Sequence, residues 1–268
     1  ARTVARAVGG ASLGDSLAAQ PAITVPQDSS HAGVLVAGTI AAGDSAVMEI
    51  TFRDQPAAYV AALREALRAG GITIDEAGTD TTVRADSIVS MLSPPLRDVF
   101  PYFEKPSQNQ MGEAIMRTIG LERTGVGTAD SGIAVARRQL TAWGIPRDGY
   151  QLHDGSGMAR ADLISPETIV RILDRMRTSP DFTIFYDALP IAAVDGTIAH
   201  RMIGTPAANN VHAKTGSLRW VRSLSGYVTD ADGERLLFSI LANKWTTPAS
   251  AVTMTADSVA AALASYRR

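Results

Sequence analysis

The 268-residue chain carries 25 Lys+Arg against 27 Asp+Glu, a formal net charge of −2, so its overall charge makes no case for nucleic acid or an anionic bilayer as the main partner. An apolar fraction of 46% with 19% charged residues is that of a globular chain able to bury a core. With no cysteine there is no disulfide, no thiolate nucleophile and no Cys-ligated zinc, and no uninterrupted apolar run reaches the roughly 20 residues of a transmembrane segment.

Residues 1 to about 45 are rich in Ala, Gly, Ser and Pro, with short apolar stretches around 34–36 and Ile40 broken by glycines, the pattern of turns between short strands. Positions 46–52 alternate as a strand does. A helix is predicted over 56–69, where Tyr59, Leu63 and Leu67 recur at helical spacing ahead of the stop signal Gly70-Gly71. Ile72-Thr73-Ile74 then reads as a resumed strand. From Ser90 the pattern turns helical, and Pro94-Pro95 opens a helix with Leu96, Val99, Phe100 and Phe103 on one stripe. A second helix is predicted over 108–119, closed by Gly120, and a third over 131–143, closed by Gly144. Asp154-Gly155-Ser156-Gly157 is a tight turn, and Ser165 as cap with Pro166 at the first helical position starts a helix ending near 176. The C-terminal third reads as strands at 212–218, 223–229 and 235–241, the last two joined by a hairpin turn at Asp230-Ala231-Asp232-Gly233, and a closing helix covers 249–266. Helical block, antiparallel strands and terminal helix together predict an α+β layer fold.

The four histidines, His31, His153, His200 and His212, show no H-x-x-x-H spacing, and no metal site is predicted. Neither G-x-G-x-x-G nor a Walker sequence occurs, so nucleotide chemistry lacks its phosphate cradle. His153-Asp154-Gly155-Ser156-Gly157 is not a nucleophile elbow, which needs glycine two residues before the serine. Two other fragments carry more. Ala213-Lys214-Thr215-Gly216-Ser217-Leu218 places Lys-Thr-Gly on a predicted strand, and Lys105-Pro106-Ser107-Gln108-Asn109 places Ser-x-Asn at a helix start, where the serine also reads as an N-cap. The chain has three lysines, and two of them, Lys105 and Lys214, fall in these fragments.

In this order and context the fragments match the second and third signatures of the penicillin-recognising serine enzymes. Further landmarks follow suit: Ser93-Pro94-Pro95-Leu96, Asp154-Gly155-Ser156-Gly157-Met158-Ala159-Arg160, Leu189-Pro190, Asp195-Gly196-Thr197-Ile198 with Arg201, and Leu224-Ser225-Gly226-Tyr227. Over about 46–245 the chain resembles the C-terminal two-thirds of the class C low-molecular-mass penicillin-binding proteins, the D-alanyl-D-alanine carboxypeptidase/endopeptidases of peptidase family S13. The resemblance implies a penicillin-binding/β-lactamase-like antiparallel sheet flanked by helices, with a helical subdomain. Residues 1–45 correspond to the tail of an inserted accessory region and 46–268 to a partial transpeptidase-like catalytic domain, with a helical block near 90–180 and a sheet near 208–242.

Such enzymes attack a D-Ala-D-Ala amide with the serine of an S-x-x-K motif and pass through an acyl-enzyme. The residues three before each lysine here are Tyr102, Val211 and Leu241, so the chain has no S-x-x-K. The resemblance therefore places the nucleophile and the first sheet strands on an N-terminal segment outside this chain, upstream or as a separate polypeptide. It implies that Ser107 relays a proton to the leaving amine and Asn109 binds the substrate backbone, with Gln108 replacing the commoner Asp between them. Lys214 and Thr215 would hold the substrate carboxylate, Gly216 would leave the strand edge open, and the Ser217 N–H would be one oxyanion donor. Asp154, Ser156 and Arg160 read as a structural turn, Asp195 and Arg201 as a scaffold pair across a loop, Trp220 and Tyr227 as rim or core, and His212 as a plain strand side chain. The implied function is an extracytoplasmic serine-type carboxypeptidase/endopeptidase acting on peptidoglycan stem peptides, acylated by β-lactams and needing no cofactor. A non-catalytic wall-peptide binding module and a β-lactamase or esterase relative are the alternatives.

Overall fold

The computed structural model describes residues 22–24, 37–39, 55–74 and 92–268, which fall into two compact units, 1–88 and 89–268. In the first, β1 (Ala22–Thr24) pairs antiparallel with β2 (Ala37–Thr39). Helix α1 (Gln55–Ala69) ends at Gly70-Gly71, where Gly71 takes φ 78°. Residues 72–74 form no strand: a strand is defined by its ladder partner, and these three have none among the described residues. The strand predicted over 46–52 and the boundary at 45/46 lie outside the described residues.

The second unit begins with three helices, α2 (Leu96–Glu104), α3 (Asn109–Thr124) and α4 (Ala129–Ala142). Sequence reasoning stops α3 at Gly120, but the helix runs on to Gly125, which takes the left-handed conformation at φ 76°. Gly120 is there for packing instead: a Cβ on it would meet the Ser131 hydroxyl and lie 2.8 Å from the Gly132 nitrogen, so the two helices cross backbone to backbone. Helix α4 starts with a reciprocal cap in which Thr128 Oγ1 accepts from the Ser131 N–H and Ser131 Oγ from the Thr128 N–H, each at 3.2 Å. A two-residue ribbon, β3 (Tyr150–Gln151) with β4 (Leu163–Ile164), leads to α5 (Pro166–Arg177), whose cap is Ser165 as the sequence predicts, and then to α6 (Phe182–Ala188).

The sheet has the order β5-β6-β7, all antiparallel, with β5 (His212–Leu218), β6 (Val221–Thr229) and β7 (Arg235–Asn243). Its central strand is buried on both faces because side chains alternate and each face has helices against it. On one face Leu224 and Val228 pack with Val211, Ile198 and Phe238 against α7 (Ala249–Ala264), whose buried Ala256, Ala260 and Ala264 recur every fourth residue and let it approach closely. On the other, Tyr227 is fully buried beneath α5 and α6, donating its phenol to the Leu173 carbonyl at 2.7 Å amid Phe182, Phe185 and Tyr186. This is the α+β layer fold expected from the sequence.

Register decides what faces what: Lys214 lies opposite Ser225 and Gly216 opposite Ser223, so both share the Tyr227 face, while Thr215 and Ser217 take the other. Helix α3 is tied to the Asp154–Gly157 turn by two facing glycines, since a Cβ on Gly112 would fall 2.5 Å from the Gly155 oxygen and one on Gly155 2.5 Å from the Gly112 oxygen. We predict that Gly112→Ala, which has no flexible side chain to push aside, lowers stability by about 1–3 kcal/mol. A urea unfolding midpoint equal to the wild type would show that the two backbones are not in contact.

Candidate active site

The first site residue comes from the end of α2. The Gln108 N–H bonds back to the Phe103 carbonyl at 3.0 Å, and Ser107 sits between them with φ 60°, where such a helix ending ordinarily places glycine. A left-handed serine costs about 1 kcal/mol. Ser107 is therefore not the N-cap of α3: the cap position is Gln108, and no side chain bonds there. Its hydroxyl instead accepts from Lys214 Nζ at 2.6 Å, across 107 residues of sequence.

Lys214 is half-buried on β5 and donates a second bond to the Thr215 carbonyl at 3.1 Å. An ammonium has three N–H groups, so one remains for a ligand. Burial pushes the Lys214 amine below the usual lysine range, opposed by the nearby Glu104 carboxylate. Burial likewise raises Glu104, and the Lys214 charge partly offsets it. Glu104 escaped the sequence reading, since an acid at a helix end next to a lysine looks like a solvated residue. Asn109, at the first turn of α3, is exposed, and its amide has no hydrogen-bond partner among the described residues.

One loop joins the two motifs. Lys105 Nζ pairs with Asp195 Oδ2 at 2.7 Å and also donates to the Leu189 carbonyl at 3.0 Å, while Asp195 Oδ1 accepts the Ile191 N–H at 2.9 Å. The Lys105 carbonyl accepts the Thr197 N–H at 3.0 Å, and Thr215 Oγ1 donates to Thr197 Oγ1 at 2.8 Å. Segment 189–197 thus contacts both the Ser107 turn and the Lys214 strand. Asp195 and Arg201, read from the sequence as partners, each pair elsewhere: Asp195 with Lys105, and Arg201 with Asp257 on α7 at 2.6 Å.

Strand β5 is the edge of the sheet among the described residues. Its Ala213 N–H points outward to the Pro190 carbonyl at 2.9 Å, and backbone groups alternate between edges, so those of Thr215 and Ser217 also point outward. Ser217 is exposed, and beyond Ala213 no strand among the described residues covers this edge. On Gly216 a Cβ would meet the Ser223 hydroxyl, which fills the space on that face. The arrangement offers a cation, two hydroxyls and a free amide beside an open strand edge, a set suited to a peptide ending in a carboxylate.

The other residues singled out in the sequence lie in a turn, in the core and on the rim. Asp154 Oδ1 and Oδ2 accept the Gly157 and Ala159 N–H groups at 2.6 and 2.7 Å, which closes the turn, and Glu113 on α3 accepts those of Gly155 and Ser156 at 3.0 and 3.2 Å. His212 stacks on Tyr186 at 3.9 Å, and burial holds its imidazole below the ordinary histidine range. Tyr227 is core and Trp220 is on the rim, 48% exposed. Among the described residues no group of three His, Asp or Glu gathers to hold a metal ion, and no helix is long and apolar enough to cross a membrane.

Two outcomes are expected. Asp195→Ala removes a partly buried ion pair and the acceptor of the Ile191 N–H, and should cost about 1–3 kcal/mol in denaturant unfolding; an unchanged midpoint would remove the latch. Glu104→Gln deletes the charge that favours protonated Lys214, so Lys214 should titrate at still lower pH. With three lysines in the chain, their 13Cε resonances can be followed individually, and an unmoved Lys214 curve would show that the two groups do not interact.

Residues 10–265 match the D-Ala-D-Ala carboxypeptidase 3 (S13) family. The chain is 34% identical over 248 residues to a D-alanyl-D-alanine carboxypeptidase of Actinomadura sp. strain R39, covering 87% of this chain and 45% of that protein. It is 34% identical over 159 residues to the D-alanyl-D-alanine carboxypeptidase DacB of Haemophilus influenzae, covering 58% and 33% respectively. The crystal structure of penicillin binding protein 4 from Haemophilus influenzae, complexed with a β-lactam, matches with a TM-score of 0.73 at 26% identity, over 92% of this chain and 59% of that one. The chain thus spans less than two-thirds of each of these relatives, and its fold is that of the penicillin-binding proteins. It belongs to the D-Ala-D-Ala carboxypeptidase 3 (S13) family.

Proposed function

We propose that this chain supplies two of the three motifs of a serine-type D-Ala-D-Ala carboxypeptidase/endopeptidase that acts outside the cytoplasm on peptidoglycan stem peptides and is acylated by β-lactams. The observation that carries the reading is the 2.6 Å bond between Lys214 and Ser107 beside an open strand edge. The substrate lies along β5 as an added strand, its terminal carboxylate on Thr215 Oγ1 and the spare N–H of Lys214. The scissile carbonyl oxygen takes the outward Ser217 N–H, and Asn109 holds the peptide backbone from the helical side. The nucleophile comes from a Ser-x-x-Lys segment that residues 1–268 do not contain. Its attack on the carbonyl carbon, with its hydroxyl proton passing to the lysine of the same segment, forms the ester and breaks the C–N bond to D-Ala, whose nitrogen takes a proton through Ser107 Oγ. Because Lys214 donates to that oxygen, the serine's own hydrogen is free to point at the leaving amine. Water then cleaves the ester. Burial, by lowering the Lys214 amine, makes it a readier proton partner for Ser107 than a solvated lysine.

The absence of a Ser-x-x-Lys sequence favours one other reading for the chain by itself, a stem-peptide binding module without catalysis.

In the protein carrying the Ser-x-x-Lys segment, Lys214→Ala should slow acylation by benzylpenicillin by about 2–4 kcal/mol in transition-state terms, on the order of 30- to 10³-fold. Stopped-flow or intact-mass kinetics measure this, and a wild-type rate would take Lys214 out of the site.

A further inference from the structure

The loop at 189–197, which sets Ser107 against Thr215, is itself held at its start by one side chain. Tyr186 lies in the last turn of α6, where carbonyls have no partner within the helix; its oxygen accepts the Leu189 N–H at 3.3 Å and lies 3.2 Å from His212 Nδ1. A carbonyl only accepts, so Nδ1 carries the hydrogen and a neutral His212 keeps its lone pair on Nε2, which has no hydrogen-bond partner among the described residues. The imidazole also stacks on the Tyr186 ring, 3.9 Å between centroids and 15° between planes. The backbone on either side of His212 is tied to the same loop: the Ala192 N–H donates to the Val211 carbonyl at 3.0 Å and the Ala213 N–H to the Pro190 carbonyl at 2.9 Å, a bridge centred on Ile191 and His212. One residue of β5, two positions before Lys214, therefore holds both the end of α6 and the foot of the loop.

The surroundings suit a neutral ring. Lys105 comes from the end of α2, Asp187 from α6 and Asp195 from the loop, while Lys214 shares the His212 face of β5 and the Tyr227 phenol belongs to the residue opposite on β6. From β7 the Arg235 guanidinium lies 4.8 Å from the centroid of the same Tyr186 ring. Two groups this close to one ring cannot share a face, so Tyr186 separates His212 from Arg235. Burial lowers the imidazole most, opposed by the Tyr186 carbonyl; Lys105 lowers it further, and Asp187 and Asp195 raise it. We propose that His212 is a positioning residue for the acylation reaction: neutral, it clamps the 189–197 loop to β5 and so keeps Ser107 and Thr215 in place, and protonated, it leaves the Tyr186 stack and the clamp opens. The inference rests on the proposed function. Because the folded imidazole takes its proton less readily than the unfolded one, the stability that it contributes is complete above pH 6.5 and is lost as the pH falls below that value. The geometry of the site fades over the same window.

The test is the pH dependence of benzylpenicillin acylation in the protein carrying the Ser-x-x-Lys segment, followed by intact mass, beside urea unfolding of each variant at each pH. His212→Ala removes both the bond and the stack, and should slow acylation about tenfold at neutral pH. His212→Phe restores an aromatic stack that cannot titrate. It should recover most of the neutral rate and lack the loss, in rate and in urea midpoint alike, that the wild type shows as the pH falls below 6.5. In the wild type the His212 13Cε1 resonance, identified by its absence from the phenylalanine variant, should titrate over the window in which the rate falls. An acid limb identical in the wild type and His212→Phe would overturn the proposal. A limb lost from the urea midpoint but kept in the rate would also overturn it, since His212 would then act on stability alone. A wild type that benzylpenicillin acylates at no pH would overturn the proposed function, and the positioning role with it, whatever the histidine titration shows.

Discussion

A lysine ammonium drawn partly out of water on the face of a β-sheet must be given oxygens, and the second unit is arranged to supply them. Lys214 finds the Thr215 carbonyl on its own strand, but its shorter bond, to Ser107, requires a helix ending more than a hundred residues away in sequence to arrive with a left-handed serine in place. The left-handed serine and the partly buried amine each carry a local cost, and the Lys105–Asp195 pair anchors the turn that bears Ser107. Neither motif is a site without the other.

The loop at 189–197 is what joins them. Its Asp195 holds Lys105 by charge, its Thr197 N–H takes the Lys105 carbonyl, and its Thr197 hydroxyl reaches Thr215. Displacement of this loop would move Ser107 and Thr215 relative to each other, although neither belongs to it. Such an arrangement fits positioning chemistry, in which an error of about 1 Å costs far more than a single hydrogen bond is worth.

Much of this was legible beforehand because local rules and tertiary packing agree where they were used. Ser165-Pro166 is a cap with a helical proline, 212–218 alternates as a strand, and the terminal helix begins at 249 as read. The reading failed where a residue answers to a partner rather than to its neighbours. Gly120 looks like a stop but clears room for α4, and Ile72–Ile74 has strand composition but no ladder partner among the described residues. Asp195 and Arg201 were read as partners of each other, but charge alone did not say that Asp195 pairs with Lys105 and Arg201 with Asp257. Glu104 was invisible for the same reason, since nothing in the sequence says that it is drawn out of water beside Lys214.

The most direct test of the central claim, that Lys214, Thr215 and Ser217 form a carboxylate and carbonyl site along β5, is a crystal structure of the protein with a bound β-lactam. The lactam carboxylate should lie about 2.7–3.0 Å from Thr215 Oγ1 and within reach of Lys214, with the lactam carbonyl oxygen on the Ser217 N–H. A lactam seated away from this edge, or turned so that its carboxylate faces neither Lys214 nor Thr215, would contradict it.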